Sequence, residues 1–151
     1  METDRLLTST GAAVVCMAIW ATCLTGVVAM QNPTQQTIWS GVFSEAQAYR
    51  GEKVAETTCI GCHGAGLTGG DSGPKLVGEK FLSDWRGQTL AELFDWISES
   101  MPDDAPGTLS KPDALAALAY ILQLNHLPSG KQDLPIDRAA LARIAIVAAK
   151  P

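Results

Sequence analysis

Histidine is nearly missing from this chain: its 151 residues include two, His63 and His126. Cysteine is scarce as well, with four, and two of them, Cys16 and Cys23, fall within the first thirty residues. A structural zinc site built on the remaining pair, Cys59 and Cys62, needs two more ligands, and these are not on offer. Basic charge is also short, with 11 Lys and Arg against 16 Asp and Glu and a net charge of −5. Nucleic-acid binding, which leaves a basic footprint, is excluded on that ground. The glycine-rich stretch 64–78 has no strand pattern before it and no Gly-Lys-Ser/Thr ending. It is therefore not a phosphate-binding loop. Asp103 and Asp104 are adjacent acids in a loop and read as solvated surface. No other constellation of nucleophile, base or metal ligands stands out.

What is present is Cys59-Ile60-Gly61-Cys62-His63. Two cysteines two residues apart, followed at once by histidine, form the pattern of c-type haem attachment. Each thiol adds across one vinyl group of the porphyrin, and the histidine is thereby held against one face of the iron as an axial ligand. Gly61 fits a tight turn close to a planar cofactor. A disulfide or a redox pair is the competing reading of two such cysteines. A thioredoxin-like pair wants a strand before it and a helix after it. Here a helical pattern precedes the motif and glycine-rich chain follows.

Residues 1–29 differ from the rest. Arg5 gives a positive start, diluted by Glu2 and Asp4, and Gly11 to Met30 carries no charge. This is a signal peptide or a membrane anchor. Its length approaches a membrane span, while its threonines, glycine and alanines keep it only modestly apolar. Val27-Val28-Ala29 offers a cleavage site, which places the mature N-terminus near Met30. Cys23 lacks a convincing lipoprotein pattern. In either case the bulk of the chain is expected outside the cytoplasm, in the periplasm.

The length suits one domain with extensions. Residues 30–43 read as a flexible arm whose Ile38, Trp39, Val42 and Phe43 are apolar enough to dock. Ser44 with Gln47 forms a capping-box pattern opening a helix that runs into Cys59. Ala48, Gly51 and Ala55 give that helix one small-residue face, and a mid-helix glycine there suggests the close approach of another helix. In the glycine-rich stretch, Pro74 and Leu76 are the expected contacts on the cofactor side. Thr89 and Glu92 form a second capping box, followed by a buried stripe of Leu90, Leu93, Phe94 and Ile97. That helix is predicted to end near Ser100, because Pro102 forces Met101 into an extended conformation. Ser110, Pro112 and Asp113 start the last strong helix, apolar around most of its circumference and ending near Asn125. The tail, 131–151, is expected to pack on the domain of residues 44–130. Asp137 is a cap for a short helix through Arg143, and Ile144 to Val147 fits either helix or extended chain.

Met101 is the methionine available as a second axial ligand once the leader is set aside, apart from Met30 at the new N-terminus. Thioether sulfur is soft and neutral, favours ferrous iron and raises the potential. Core filler is the plainer role for a methionine, but its place before Pro102 in a loop favours ligation. His126, just past the last helix, is the rival ligand, although a histidine there also complements the helix dipole.

This series of helix, Cys-x-x-Cys-His, glycine-rich loop, amphipathic helix, Met-Pro and apolar helix resembles the class I, mitochondrial-like, monohaem c-type cytochromes over about Ser44 to Asn125. The resemblance implies an all-α cytochrome c fold around one covalent haem c, with iron between His63 and Met101. It implies that Gly51 and Tyr120 meet where the first and last helices cross. Pro74 would offer its carbonyl to the axial imidazole, and Trp85 would reach a haem propionate. The Leu127–Gly130 segment and the tail are similar to small cytochrome domains that serve quinoprotein dehydrogenases. With both axial positions filled, the implied function is electron transfer, with a periplasmic dehydrogenase as donor and a terminal oxidase as acceptor. The other readings are a haem enzyme or gas sensor with an open sixth site, and a cytochrome subunit of a dehydrogenase or respiratory complex held to the membrane by a retained leader.

Overall fold

The structure is a computed structural model, and it describes residues 35–150. The leader, its cleavage site, Cys16 and Cys23 lie outside the described residues. The described chain runs β1 (Gln36–Thr37), α1 (Glu45–Thr58), α2 (Ile60–His63), a 3-10 turn (Ala65–Leu67), α3 (Glu79–Asp84), α4 (Leu90–Ser100), α5 (Lys111–Leu124), α6 (Arg138–Leu141) and β2 (Ile144–Ala145). No helix among the described residues is long and apolar enough to cross a membrane.

The centre is the crossing of α1 and α5. Helix α1 buries Gln47, Ala48, Gly51 and Ala55, while α5 buries Ala114 to Ala119, Ile121 and Leu122. Ser44 caps α1 by accepting from the Gln47 N–H, and Ser110 caps α5 by accepting from the Asp113 N–H. These caps satisfy backbone donors that the first turn leaves without partners. Helix α4 carries the full reciprocal box of Thr89 and Glu92 and buries Leu90, Ala91, Leu93, Phe94 and Ile97. Its stripe faces the core as the 3.6-residue period requires. At its end Met101 is extended, with φ −113° and ψ 150°.

Three features depart from the sequence reading. Ser44 and Gln47 do not form a reciprocal box. The Gln47 amide is buried and turned to the tail, where its Oε1 accepts from the Leu134 N–H at 2.7 Å and its Nε2 donates to the Leu134 carbonyl at 3.4 Å. Gly61 is not in a tight turn. It lies within α2, and a Cβ added there meets nothing within 4 Å. Residues 35–43 are docked rather than a flexible arm, because Ile38 and Phe43 are fully buried and the backbone there finds partners in the tail. The chain also forms a helix, α3, that its local pattern does not announce.

The docking is specific. Strand β1 pairs in parallel with β2, Gln36 with Ile144 and Thr37 with Ala145. The other edge of β2 bonds to the α3–α4 connection, with the Ile146 N–H on the Gln88 carbonyl at 2.8 Å and the Gly87 N–H on the Ile146 carbonyl at 3.1 Å. Trp39 donates its indole N–H to the Val147 carbonyl at 3.2 Å. Leu134, Leu141, Ile144 and Ile146 are buried, and Arg138 pairs with Asp95 of α4. Ile144 and Ala145, which the sequence leaves open between helix and strand, are extended.

Candidate haem site

Helix α1 ends on Cys59, whose N–H bonds to the Ala55 carbonyl at 2.9 Å. The backbone then turns directly into α2. The Cys62 and His63 N–H groups both bond to the Cys59 carbonyl, at 3.2 and 2.9 Å. One helical turn thus carries both thiols and the imidazole. Both cysteines are free, Cys59 half-buried and Cys62 exposed. Burial raises the Cys59 thiol pKa, and the neighbouring Cys62 raises it further. The thiol form is therefore favoured at Cys59, and addition to a vinyl group consumes that S–H.

His63 is buried, and its Nδ1 lies 2.7 Å from the Pro74 carbonyl oxygen. A carbonyl only accepts, so Nδ1 carries the hydrogen and donates it. The lone pair then resides on Nε2, the tautomer a metal-ligating histidine needs. The glycine-rich loop makes this pairing possible by lying against the backbone of the motif. A Cβ at Gly70 would fall 2.3 Å from the Cys62 carbonyl oxygen, and one at Gly73 would fall 3.0 Å from both that oxygen and His63 Nδ1. The loop closes on itself through the Gly69 N–H to the His63 carbonyl at 2.8 Å and the Leu76 N–H to the Leu67 carbonyl at 2.9 Å.

The structure thus brings Cys59, Cys62, His63 and Pro74 together. Met101 and Trp85 stand at the ends of other elements, α4 and α3, both half-buried. Trp85 and Leu76 pack against the hydrophobic core. His126 is exposed in a left-handed conformation, φ +58°, beyond the end of α5. Its neighbour Asn125 is buried, and Leu67 beside the motif is fully buried; no local sequence pattern marks either one. Among the described residues no group of three or more His, Cys, Asp or Glu is arranged to hold a metal ion on its own. The donor set suits haem c: two thiols for the vinyl groups, and a neutral imidazole whose Nδ1–H is already engaged.

Comparison with known proteins gives the same chemistry a family. The cytochrome bc1 complex cytochrome c subunit of Mycobacterium bovis is 37% identical over 65 residues, which are 42% of this chain and 23% of that protein. Its counterpart in Mycobacterium leprae is 39% identical over 54 residues, 35% of this chain and 19% of that protein. The chain spans less than a quarter of the length of these relatives. A chain of the crystal structure of the sulfane dehydrogenase SoxCD from Paracoccus pantotrophus aligns with a TM-score of 0.48 and 21% identity, covering 75% of this chain and 61% of that one. The model of the family "Cytochrome C oxidase, cbb3-type, subunit III" matches residues 46–121, half of the chain, from the first turn of α1 into α5. The match spans Cys59, Cys62, His63 and Met101, and it implies the all-α cytochrome c fold, covalently bound haem c with its iron, and electron transfer. The chain belongs to the cbb3-type cytochrome c oxidase subunit III family of c-type cytochromes.

Proposed function

We propose that the chain is a monohaem electron carrier of the periplasm, with Cys59 and Cys62 bonded to the haem and His63 and Met101 as its axial ligands. The observation that supports this most is the His63–Pro74 hydrogen bond, which leaves Nε2 as the free lone pair one helical turn from both thiols. When bound, the haem supplies reversible one-electron exchange between ferric and ferrous iron. Each thiol would hold the haem by adding across a vinyl group, its sulfur to one carbon and its hydrogen to the other. No oxidant is required. The Pro74 carbonyl keeps the His63 ring oriented and its Nε2 basic. Met101, extended at the end of α4 before Pro102, would offer the iron a neutral thioether as its second protein ligand. With His63 and Met101 both holding the iron, no position would remain for a substrate or gas, which is the difference from the enzyme and gas-sensor readings. Trp85, at the end of α3, would hold a haem propionate, as the resemblance implies.

In this reading residues 1–29 direct export, 44–130 form the cytochrome domain and 131–151 are its packed tail. A periplasmic dehydrogenase is the donor and a terminal oxidase the acceptor. A second reading, a cytochrome subunit of a respiratory complex anchored by a retained leader, is favoured by the relatives named as subunits of the bc1 complex.

Acid–acetone extraction tests the attachment. Haem is expected to stay with the polypeptide of the wild type, and Cys59→Ala with Cys62→Ala to yield no covalent holoprotein. Extraction of the wild-type haem into the acetone contradicts the reading. Fractionation separates the carrier from the subunit: a mature N-terminus near Met30 in the soluble periplasm supports the first, and an intact leader in the membrane fraction supports the second.

A further inference from the structure

Three polar side chains are buried among the described residues: Gln47, His63 and Asn125. His63 is the candidate ligand, and Gln47 holds the tail. Asn125, just past the end of α5, uses its amide on the loop that faces His63. Its Oδ1 accepts from the Gly78 N–H at 2.9 Å, and its Nδ2 donates to the Leu76 carbonyl at 2.9 Å and to the Ile121 carbonyl at 2.8 Å. Two of these three bonds grip the loop on either side of Val77, and the third fixes the amide to the last turn of α5. A buried amide with both hydrogens and its oxygen engaged has one orientation. The gripped segment begins two residues after Pro74. The loop's other ties, Gly69 to His63 and Leu76 to Leu67, are local bonds within the loop and the motif. Asn125 ties it to the helix at the centre of the fold.

We propose that Asn125 is a positioning residue for the iron ligand: by anchoring Leu76 and Gly78 to α5, it holds the Pro74 carbonyl against His63 Nδ1. This inference rests on the reading of His63 as an iron ligand. A hydrogen bond from Nδ1 makes the imidazole more basic and favours ferric iron. Releasing the loop lengthens that bond, weakens the donation and raises the reduction potential.

The test compares holoprotein of the wild type, Asn125→Leu and Gln47→Leu. Leucine has the same branched side-chain skeleton as asparagine and is uncharged, so a change in potential is not the field of a new carboxylate. Asn125→Ser, smaller and still polar, carries the same test if Asn125→Leu does not assemble. The reduction potential and the exchange rate of the His63 ring N–H, followed by NMR, are the readouts. The expected result is a higher potential and about tenfold faster ring N–H exchange in the Asn125 variant, the effect of losing one anchoring hydrogen bond. Gln47→Leu, which removes a buried amide from the tail, is expected to leave both at wild-type values while lowering stability. Unchanged potential and exchange in the Asn125 variant, or the same shifts in Gln47→Leu, overturn the proposal and leave Asn125 a stabilising residue only. A wild type without covalent haem removes the ligand reading and this proposal with it, a result distinct from a haem-bearing protein whose potential does not move.

Discussion

Gly51 of α1 faces the carbonyl of Ala116 in α5 so closely that a Cβ on Gly51 would lie 1.8 Å from that oxygen, and 2.9 Å from the Cβ of Tyr120. The obstacle is mainly backbone, which cannot rotate aside, so any side chain separates the two helices. Overpacking of this kind costs about 1–3 kcal/mol or more. Gly51→Val is expected to lose at least that much in denaturant unfolding of the holoprotein and to lower haem incorporation, because α1 carries the first thiol at its end. Wild-type stability and full haem loading in Gly51→Val would show that α1 and α5 do not cross there.

Gln47 and Leu134 make a second long-range tie. Replacing Gln47 with leucine leaves the buried N–H of Leu134 without a partner, a loss of about 1–3 kcal/mol. Unfolding in urea is expected to show that loss, and limited proteolysis is expected to cut the segment between Leu127 and Arg138 sooner than in the wild type. Equal stability and equal protease resistance would mean that the tail is held by its apolar residues alone.

Asp133 gives the tail a pH dependence. The hydrogen bond from the Ser44 hydroxyl, with help from the Arg50 guanidinium, holds its carboxyl below the ordinary value of 3.8 against the opposing effect of burial. A carboxyl with a depressed folded pKa contributes stability that is present above the unfolded value and is lost as pH falls through the folded value. The wild type is therefore expected to weaken below about pH 4 more steeply than Asp133→Asn. The difference is expected to be small and to shrink with salt, since Arg50 and Asp133 are both about half exposed. Parallel acid-unfolding curves for the two proteins would rule out this linkage.

Helices α1, α4 and α5, the motif and the extended Met101 are legible because each has a local cause. Thr89 and Glu92 sit three residues apart, the stripe on α4 repeats with the helical period, and Pro102 constrains the residue before it. Gly51 was legible as a crossing point because a mid-helix glycine is costly unless something needs the space. The rest depends on partners distant in sequence. Gln47 looks like half of a capping box until Leu134 arrives, 87 residues later. Asn125 looks like an ordinary helix terminus until Leu76 and Gly78 fold against it. Helix α3 is six residues long and begins after Gly78 with no side-chain cap, so no local pattern marks it. Strands β1 and β2 have two residues each, too few for an alternation to show. At the candidate site the thiols and His63 are marked by their spacing, Pro74 by its place in the glycine-rich loop, and the pairing of its carbonyl with the imidazole by the resemblance. Its anchor was not, because a buried amide and an exposed one are spelled alike.

The proposed ligation of the iron by Met101 would leave the ferrous protein no site for exogenous ligands. Carbon monoxide binding to the ferrous protein tests it most directly, with the wild type, Met101→Ala and Met101→His compared side by side. Negligible binding is expected of the wild type, rapid binding of Met101→Ala, and a closed site with a lowered potential of Met101→His, since imidazole in place of thioether favours ferric iron. Carbon monoxide binding by the wild type as fast as by Met101→Ala would contradict it.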